Sequence, residues 1–259
     1  MQPKVGIALG AGGARGLAHI GVLQVLEKHN IPIDFVAGSS IGSLVGALYC
    51  MGHDGATLEQ FAYLFHEKFY LDFTVPKMGF ISGKRIKELL YLLTKGKRIE
   101  ELKIPLTIVA TDLLNGEKVL FREGVIADAI RASISIPGIF VPEEHNGRLY
   151  VDGGVVDRVP ASVVKEMGAD IIIAADVSTL KTKPQMNSVI DVILQSIDIM
   201  QHEMVRFHEL NTTDVIIRPN VNNYSLRSFD AAEELIEIGK RETEKQLATI
   251  KKRIASWKE

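Results

Sequence analysis

One cysteine, Cys50, stands in a chain of 259 residues, so an internal disulfide and a cysteine-clustered zinc site are both excluded. A reducing, cytoplasmic compartment is the expectation that follows. Charge of one sign is also lacking. Lys and Arg number 30 against 32 Asp and Glu, a net charge of −2, so no basic field exists to hold a nucleic-acid backbone. No apolar run reaches the ~18 residues that a membrane-spanning helix needs. Residues 5–14 have the length of a signal-peptide core, but Gly6, Gly10, Gly12 and Gly13 interrupt them and a helical pattern follows at once. They read as a strand and a glycine loop rather than a targeting segment. Internal repeats and low-complexity tracts are missing too.

What the chain does contain is alternation. Apolar runs at residues 5–9, 35–39, 104–110, 118–121, 148–151, 171–175 and 215–218 have strand character. Between them, helical periodicity covers residues 14–29, 41–51, 58–69, 83–93, 125–133, 161–167, 188–208 and 231–257. Near-continuous apolar strands that alternate with helices predict an α/β fold with a mostly parallel sheet covered on both faces. Nothing resembles an interdomain linker, so a single domain over 1–259 is expected. The stripe Leu247, Ile250, Ile254 and Trp257 is expected to dock the last helix on the core. Residues 70–82 break the rhythm, with Phe73, Val75, Met78, Phe80 and Ile81 around Pro76 and Gly79. Such a greasy, aperiodic stretch either tucks into the core or meets something apolar. Phe73 and Phe80 are the expected substrate-wall residues in the second case.

Three short constellations carry chemistry. Gly38-Ser39-Ser40-Ile41-Gly42 is a G-x-S-x-G placed where an apolar strand meets an apolar helix. That is the context a nucleophile elbow requires, although a serine there could also simply cap the helix. Gly10-Ala11-Gly12-Gly13-Ala14-Arg15-Gly16 lies between the first strand and the first helix. Its glycines miss the offsets of a dinucleotide fingerprint, since Arg15 stands where the third glycine would be. Backbone amides that form an oxyanion hole are the better reading, because a nucleophile-type serine follows the very next strand. Asp152-Gly153-Gly154 follows a short strand, where a carboxylate before two glycines often only shapes a turn.

A serine nucleophile needs a proton acceptor. Of the seven histidines, His202 and His208 fall within a long helical pattern, His145 in an exposed hairpin, and His19 on the first helix. None is well placed, so an aspartate that acts on the serine directly becomes the stronger idea. Glu117, Asp112, Asp170 and Asp176 lack the spacing of a metal site.

Together these residues resemble the patatin-like phospholipase family: G-G-x-R-G at Gly12, Gly13, Arg15 and Gly16, G-x-S-x-G at Gly38–Gly42, and Asp-Gly-Gly at Asp152–Gly154. The stretches 16–23 and 110–113, and Arg131-Ala132-Ser133 leading to Pro137, add to the resemblance, which covers roughly residues 5–165. It implies a three-layer α/β/α fold, completed by residues 166–259, and acyl-ester hydrolysis by a Ser-Asp dyad without a metal or an organic cofactor. Carried over by motif, Ser40 is the nucleophile, Asp152 the base, and the amides of Gly12, Gly13 and Ala14 the oxyanion hole. The implied partners are a lipid or acyl-ester substrate and a transient membrane-surface contact, with no nucleic acid. Acyl transfer by the same serine, or a lipid-binding regulator with a residual site, remain the alternatives. Two positions depart from the family pattern. Ala11 replaces the first glycine of the loop, and Asp157 stands where asparagine is expected, placing a charge that could raise the pKa of Asp152. Arg15 is expected to hold the loop, to meet an anionic head group, or to form a surface ion pair.

Overall fold

The computed structural model describes residues 2–64, 72, 75, 78–178, 187–208 and 212–258. In chain order the first half runs β1 (Val5–Leu9), α1 (Ala18–Lys28), β2 (Phe35–Ser39), α2 (Ile41–Cys50), α3 (Gly55–Leu64), β3 (Gly79–Ile81), α4 (Lys84–Thr94), β4 (Leu106–Asp112) and β5 (Lys118–Phe121). The second half runs α5 (Ile126–Ser133), β6 (Gly138–Phe140), β7 (Glu143–His145), β8 (Arg148–Asp152), α6 (Ala161–Glu166), β9 (Ile171–Ala175), α7 (Val189–His208), β10 (Val215–Ile217) and α8 (Ala232–Ser256).

The main sheet has the order β10-β9-β1-β2-β4-β8-β7, with β5 paired to β4. Strands β10, β9, β1, β2 and β4 are parallel; β5, β7 and β8 are antiparallel. Side chains alternate along each strand. Val5, Ile7 and Leu9 enter the larger core with α1, α2 and α8. Ala8, Ala37, Val109, Ile172 and Ala174 face the other way, onto Val163 and Val164 of α6. This is the three-layer α/β/α arrangement. β9 and β10 carry the sheet past β1, so the C-terminal third of the chain closes one side of it. On α8, Ile250 is buried and Leu247, Ile254 and Trp257 pack against the same core.

Register decides where the chemistry can meet. Ala110 of β4 pairs with both Val119 and Asp152, so β5 and β8 lie on opposite edges of β4. Val109 pairs with both Leu120 and Ser39, so β5 and β2 are opposite as well. β8 therefore takes up the edge of β4 where β2 leaves it. The end of β8 abuts the end of β2, and Asp152 arrives beside Ser40.

One local expectation changes and one is met. Residues 79–81 are not aperiodic: they form β3, which pairs in parallel with Gly138–Phe140 in a separate two-stranded sheet. A three-residue strand whose partner lies far along the chain leaves too short a pattern to read. The expected exposed hairpin around His145 is β7–β8, turned by Asn146 and Gly147 at φ 51° and 73°, the left-handed pair that a two-residue hairpin favours.

Candidate active site

Ser40 is the hinge between β2 and α2. Its φ is 52° and its ψ −124°, a conformation a non-glycine residue adopts only when its surroundings enforce it. The enforcement is visible. A Cβ on Gly38 would lie 2.5 Å from the Gly42 carbonyl oxygen, and one on Gly42 would lie 2.1 Å from that of Leu9. Only glycines at both flanks let the turn close. The Ser40 N–H donates to Ser133 Oγ at 2.9 Å, and that hydroxyl donates on to the Val109 carbonyl at 2.6 Å. Ser133 is thus a bracket between the elbow and β4. Ser40 Oγ makes no capping hydrogen bond to α2. It donates instead to Asp152 Oδ2 at 2.5 Å.

The turn reading and the chemical reading of Asp152 both hold, one oxygen for each. Oδ1 accepts from the Gly154 N–H at 2.8 Å, and Oδ2 faces Ser40. The backbone of Asp152 is pinned on both sides, by its N–H to the Ser135 carbonyl and by its own carbonyl from Thr111 Oγ1. Burial pushes the Asp152 carboxyl from its ordinary 3.8 up to about 6, against the pull of the Ser40 and Gly154 hydrogen bonds and of the Arg158 charge. Asp157 is not the cause. Its carboxylate accepts an ion pair from Lys118 Nζ at 3.0 Å, so the departure from asparagine is spent on a different contact.

The glycine loop refines the expected donor set. The Ala14 N–H donates to the Leu226 carbonyl at 2.9 Å, which removes it from that set. The Ala11 N–H is likewise committed, to the Arg158 carbonyl at 2.8 Å. Ala11 can therefore replace glycine without costing a donor. The amides of Gly12 and Gly13 have no acceptor among the described residues, and both residues line the cleft that holds Ser40 and Asp152. Gly13 sits at φ 54°, and a Cβ there would lie 2.5 Å from the Leu226 carbonyl oxygen. Gly13→Ala is accordingly expected to lower both melting temperature and turnover, the latter by about 10²–10³-fold, the usual effect of losing one oxyanion donor. Thermal unfolding beside steady-state ester hydrolysis checks both halves.

Arg15 is neither at the surface nor open to a head group. It is buried, and its guanidinium meets Asp198 Oδ2 of α7 at 2.7 Å. The other oxygen of Asp198 accepts from Arg158 at 2.9 Å, and Arg158 also donates to Gln201 at 2.8 Å. This buried cluster ties α7 to the glycine loop and to the segment after Asp152. The sequence pattern missed Asp198, Arg158 and Gln201. A lone charge between Ile197 and Ile199 was the only signal, and its partner lies 183 positions away. His19 packs rather than catalyses: buried, it bonds the Gly10 carbonyl through Nε2 at 2.8 Å, and burial pulls its pKa down to about 4.

Gln201 also lines the cleft, and the other walls are apolar, from Ile136, Pro137, Leu194, Ile197 and Leu226. Of the expected wall residues, Phe80 is half-buried on β3, and Phe73 lies outside the described residues. Gly16 packs against Ile41, and Gly153 against Val109.

Residues 7–165 match the family model described as Patatin-like phospholipase. An uncharacterised NTE family protein of Mycobacterium bovis is 39% identical over 189 residues, which cover 71% of this chain and 51% of that one. Lysophospholipase NTE1 of Meyerozyma guilliermondii is 28% identical over 266 residues, covering 91% of this chain and 18% of that protein. The chain thus spans about half the length of the first relative and less than a fifth of the second. Among solved structures, VipD from Legionella pneumophila superposes with a TM-score of 0.55 over 97% of this chain and 67% of its own, at 12% identity. That likeness is one of fold.

Proposed function

Since this chain belongs to the patatin-like phospholipase family, we propose that it hydrolyses acyl esters of lipids with Ser40 as nucleophile and Asp152 as base. The observation that carries the reading is the 2.5 Å contact from Ser40 Oγ to Asp152 Oδ2 at a strained elbow. The Gly12 and Gly13 amides beside it complete the picture.

In the proposed reaction Ser40 Oγ attacks the ester carbonyl carbon as its proton passes to Asp152 Oδ2. The Gly12 and Gly13 N–H groups hold the developing oxyanion. Collapse expels the alcohol, which takes the proton back from Asp152, and leaves an acyl group on Ser40. Water then gives a proton to Asp152 and attacks the acyl carbon. Ser40 regains that proton as the fatty acid leaves. A general base must be deprotonated, yet basic enough to accept a proton, and a carboxyl raised to about 6 meets both conditions near neutrality. Among the described residues no helix is long and apolar enough to cross a membrane.

Labelling with a fluorophosphonate probe tests the nucleophile: wild type should label and Ser40→Ala should not. Release of fatty acid from a lysophosphatidylcholine or phosphatidylcholine micelle tests the substrate class. Absence of Ser40-dependent hydrolysis across that panel would remove the reading. The pH dependence is a separate expectation. Asp152 is protonated below about 6 and cannot act as base, so kcat/KM on a soluble ester should rise through about pH 6 and level off above it. A profile flat from pH 5 to 8 would take the base role away from Asp152.

A further inference from the structure

Gln201 of α7 lies beyond residues 7–165, the stretch that matches the family model. It nonetheless lines the cleft of Ser40 and Asp152, together with Gly12 and Gly13. The residue is 8% exposed. A carboxamide accepts at one end and donates at the other, and its neighbours decide which way it turns. Arg158 can only donate. It gives a hydrogen bond to Gln201 Oε1 at 2.8 Å, and Asp198 holds the same guanidinium at 2.9 Å. The Nε2 end of Gln201 is thereby turned away from Arg158, and it has no acceptor among the described residues.

Gly154 shows where that end stands. A Cβ on Gly154 would lie 2.7 Å from Gln201 Nε2 and 3.0 Å from Asp152 Oδ1. The carboxamide and the carboxylate therefore front one small space, kept open because residue 154 has no side chain. The other oxygen of Asp152 meets Ser40 Oγ. The enclosed part of the cleft measures about 20 Å³, the scale of one water molecule. A donor in that space is matched to a single oxygen rather than to a head group. Asp152 exchanges its proton with such an oxygen twice in the proposed reaction. The first belongs to the leaving alcohol, and the second to the water that replaces it beside the acyl carbon.

We propose that Gln201 is a catalytic residue of the second half-reaction, with its Nε2–H donating to the oxygen of the hydrolytic water. The inference rests on the hydrolase reading above and adds the group that presents water to the acyl carbon. One lone pair of the water accepts from Gln201, and the other forms the bond to carbon. One water proton passes to Asp152, and the second stays on the product. The bond from carbon to Ser40 Oγ then breaks, Ser40 takes the proton from Asp152, and the fatty acid leaves.

Gln201→Glu separates this function from packing. Its carboxylate still accepts from Arg158 but has no N–H to give. The added charge raises the pKa of Asp152, so rates are compared on the plateau of each pH profile. Rapid mixing with p-nitrophenyl butanoate reads the two half-reactions apart. The acylation phase of Gln201→Glu should keep its wild-type rate. The variant should release a burst of p-nitrophenol and then settle to a steady rate about tenfold below wild type, the worth of one hydrogen bond. Gln201→Leu, which adds no charge, should divide the two phases in the same way and melt lower, having also given up Arg158. Wild type that releases no p-nitrophenol would remove the hydrolase reading and this one with it. With wild type active, either of two results overturns the assignment of Gln201 alone. One is steady turnover unchanged in both variants. The other is acylation slowed as much as turnover, which would make Gln201 an oxyanion or structural group.

Discussion

Ser40→Ala is expected to lower ester hydrolysis by on the order of 10⁴–10⁶-fold, because in the proposed mechanism nucleophile and base act as a unit and the variant retains only oxyanion stabilisation and binding. Asp152→Asn should cost about 10²–10⁴-fold, the usual contribution of a general base. The two variants should differ in stability. Burial raises the Asp152 carboxyl from 3.8 to about 6, so the folded state holds this proton more tightly than the unfolded chain does. The sign follows from linkage: ionised Asp152 is a penalty on folding that is absent below about 4, grows through that window and is complete above about 6. Asp152→Asn removes the penalty. Its melting temperature should exceed wild type at pH 8, by an amount of the order of 3 kcal/mol in stability, and the advantage should shrink as pH falls toward 4. Activity lost and stability gained in one substitution would be the signature of a base held in an unfavourable place for its task. An Asp152→Asn protein with wild-type turnover would contradict the dyad.

The second large effect is expected at Asp198. Its carboxylate is the shared partner of Arg15 and Arg158, and all three side chains are buried. Removing the carboxylate leaves two guanidinium groups without their common counter-charge. Breaking a buried pair in this way typically costs about 3–5 kcal/mol. In a domain of this size Asp198→Ala should melt roughly 6–20 °C lower. Asp198→Asn, which keeps the shape but not the charge, should also destabilise. Whether the cluster does more than hold α7 can be read at temperatures where the variant is folded. Arg15 belongs to the glycine loop, so a falling kcat with little change in KM would indicate that the oxyanion donors have lost their placement. A melting temperature within 2 °C of wild type would show that the cluster contributes little.

The strand-helix alternation was legible because it is a local signal. The runs at residues 5–9 and 171–175 are apolar at nearly every position, as a strand buried on both faces must be, and both are strands of the central sheet. The first glycine of the G-x-S-x-G was legible for the same reason. The atoms that forbid a side chain at Gly38 belong to Gly42 and Ser43, within the same turn. The candidate base was harder to find. Asp152 in isolation looks like a turn residue, and its Oδ1 does shape a turn. It was singled out by the want of a usable histidine and by the motif order of a family. Ser133 was legible only within a stretch that resembles the family, and its function as a bracket was not, because that depends on Ser40, 93 positions earlier.

The chain read alone settled the layer architecture, the position of the elbow serine and the glycine loop. Each rests on a pattern that spans a few residues. Folding decided everything that depends on long-range register and enclosure. β8 inherits the edge of β4 from β2, which puts Asp152 at Ser40. The Leu226 carbonyl takes the Ala14 amide, while those of Gly12 and Gly13, which line the cleft, have no acceptor among the described residues. Asp198 reaches across 183 positions to Arg15, and burial alone moves the Asp152 proton toward neutrality. The physical reason is common to all of these. Hydrogen-bond partners and desolvation belong to the space around a group, and residues far apart in sequence create that space.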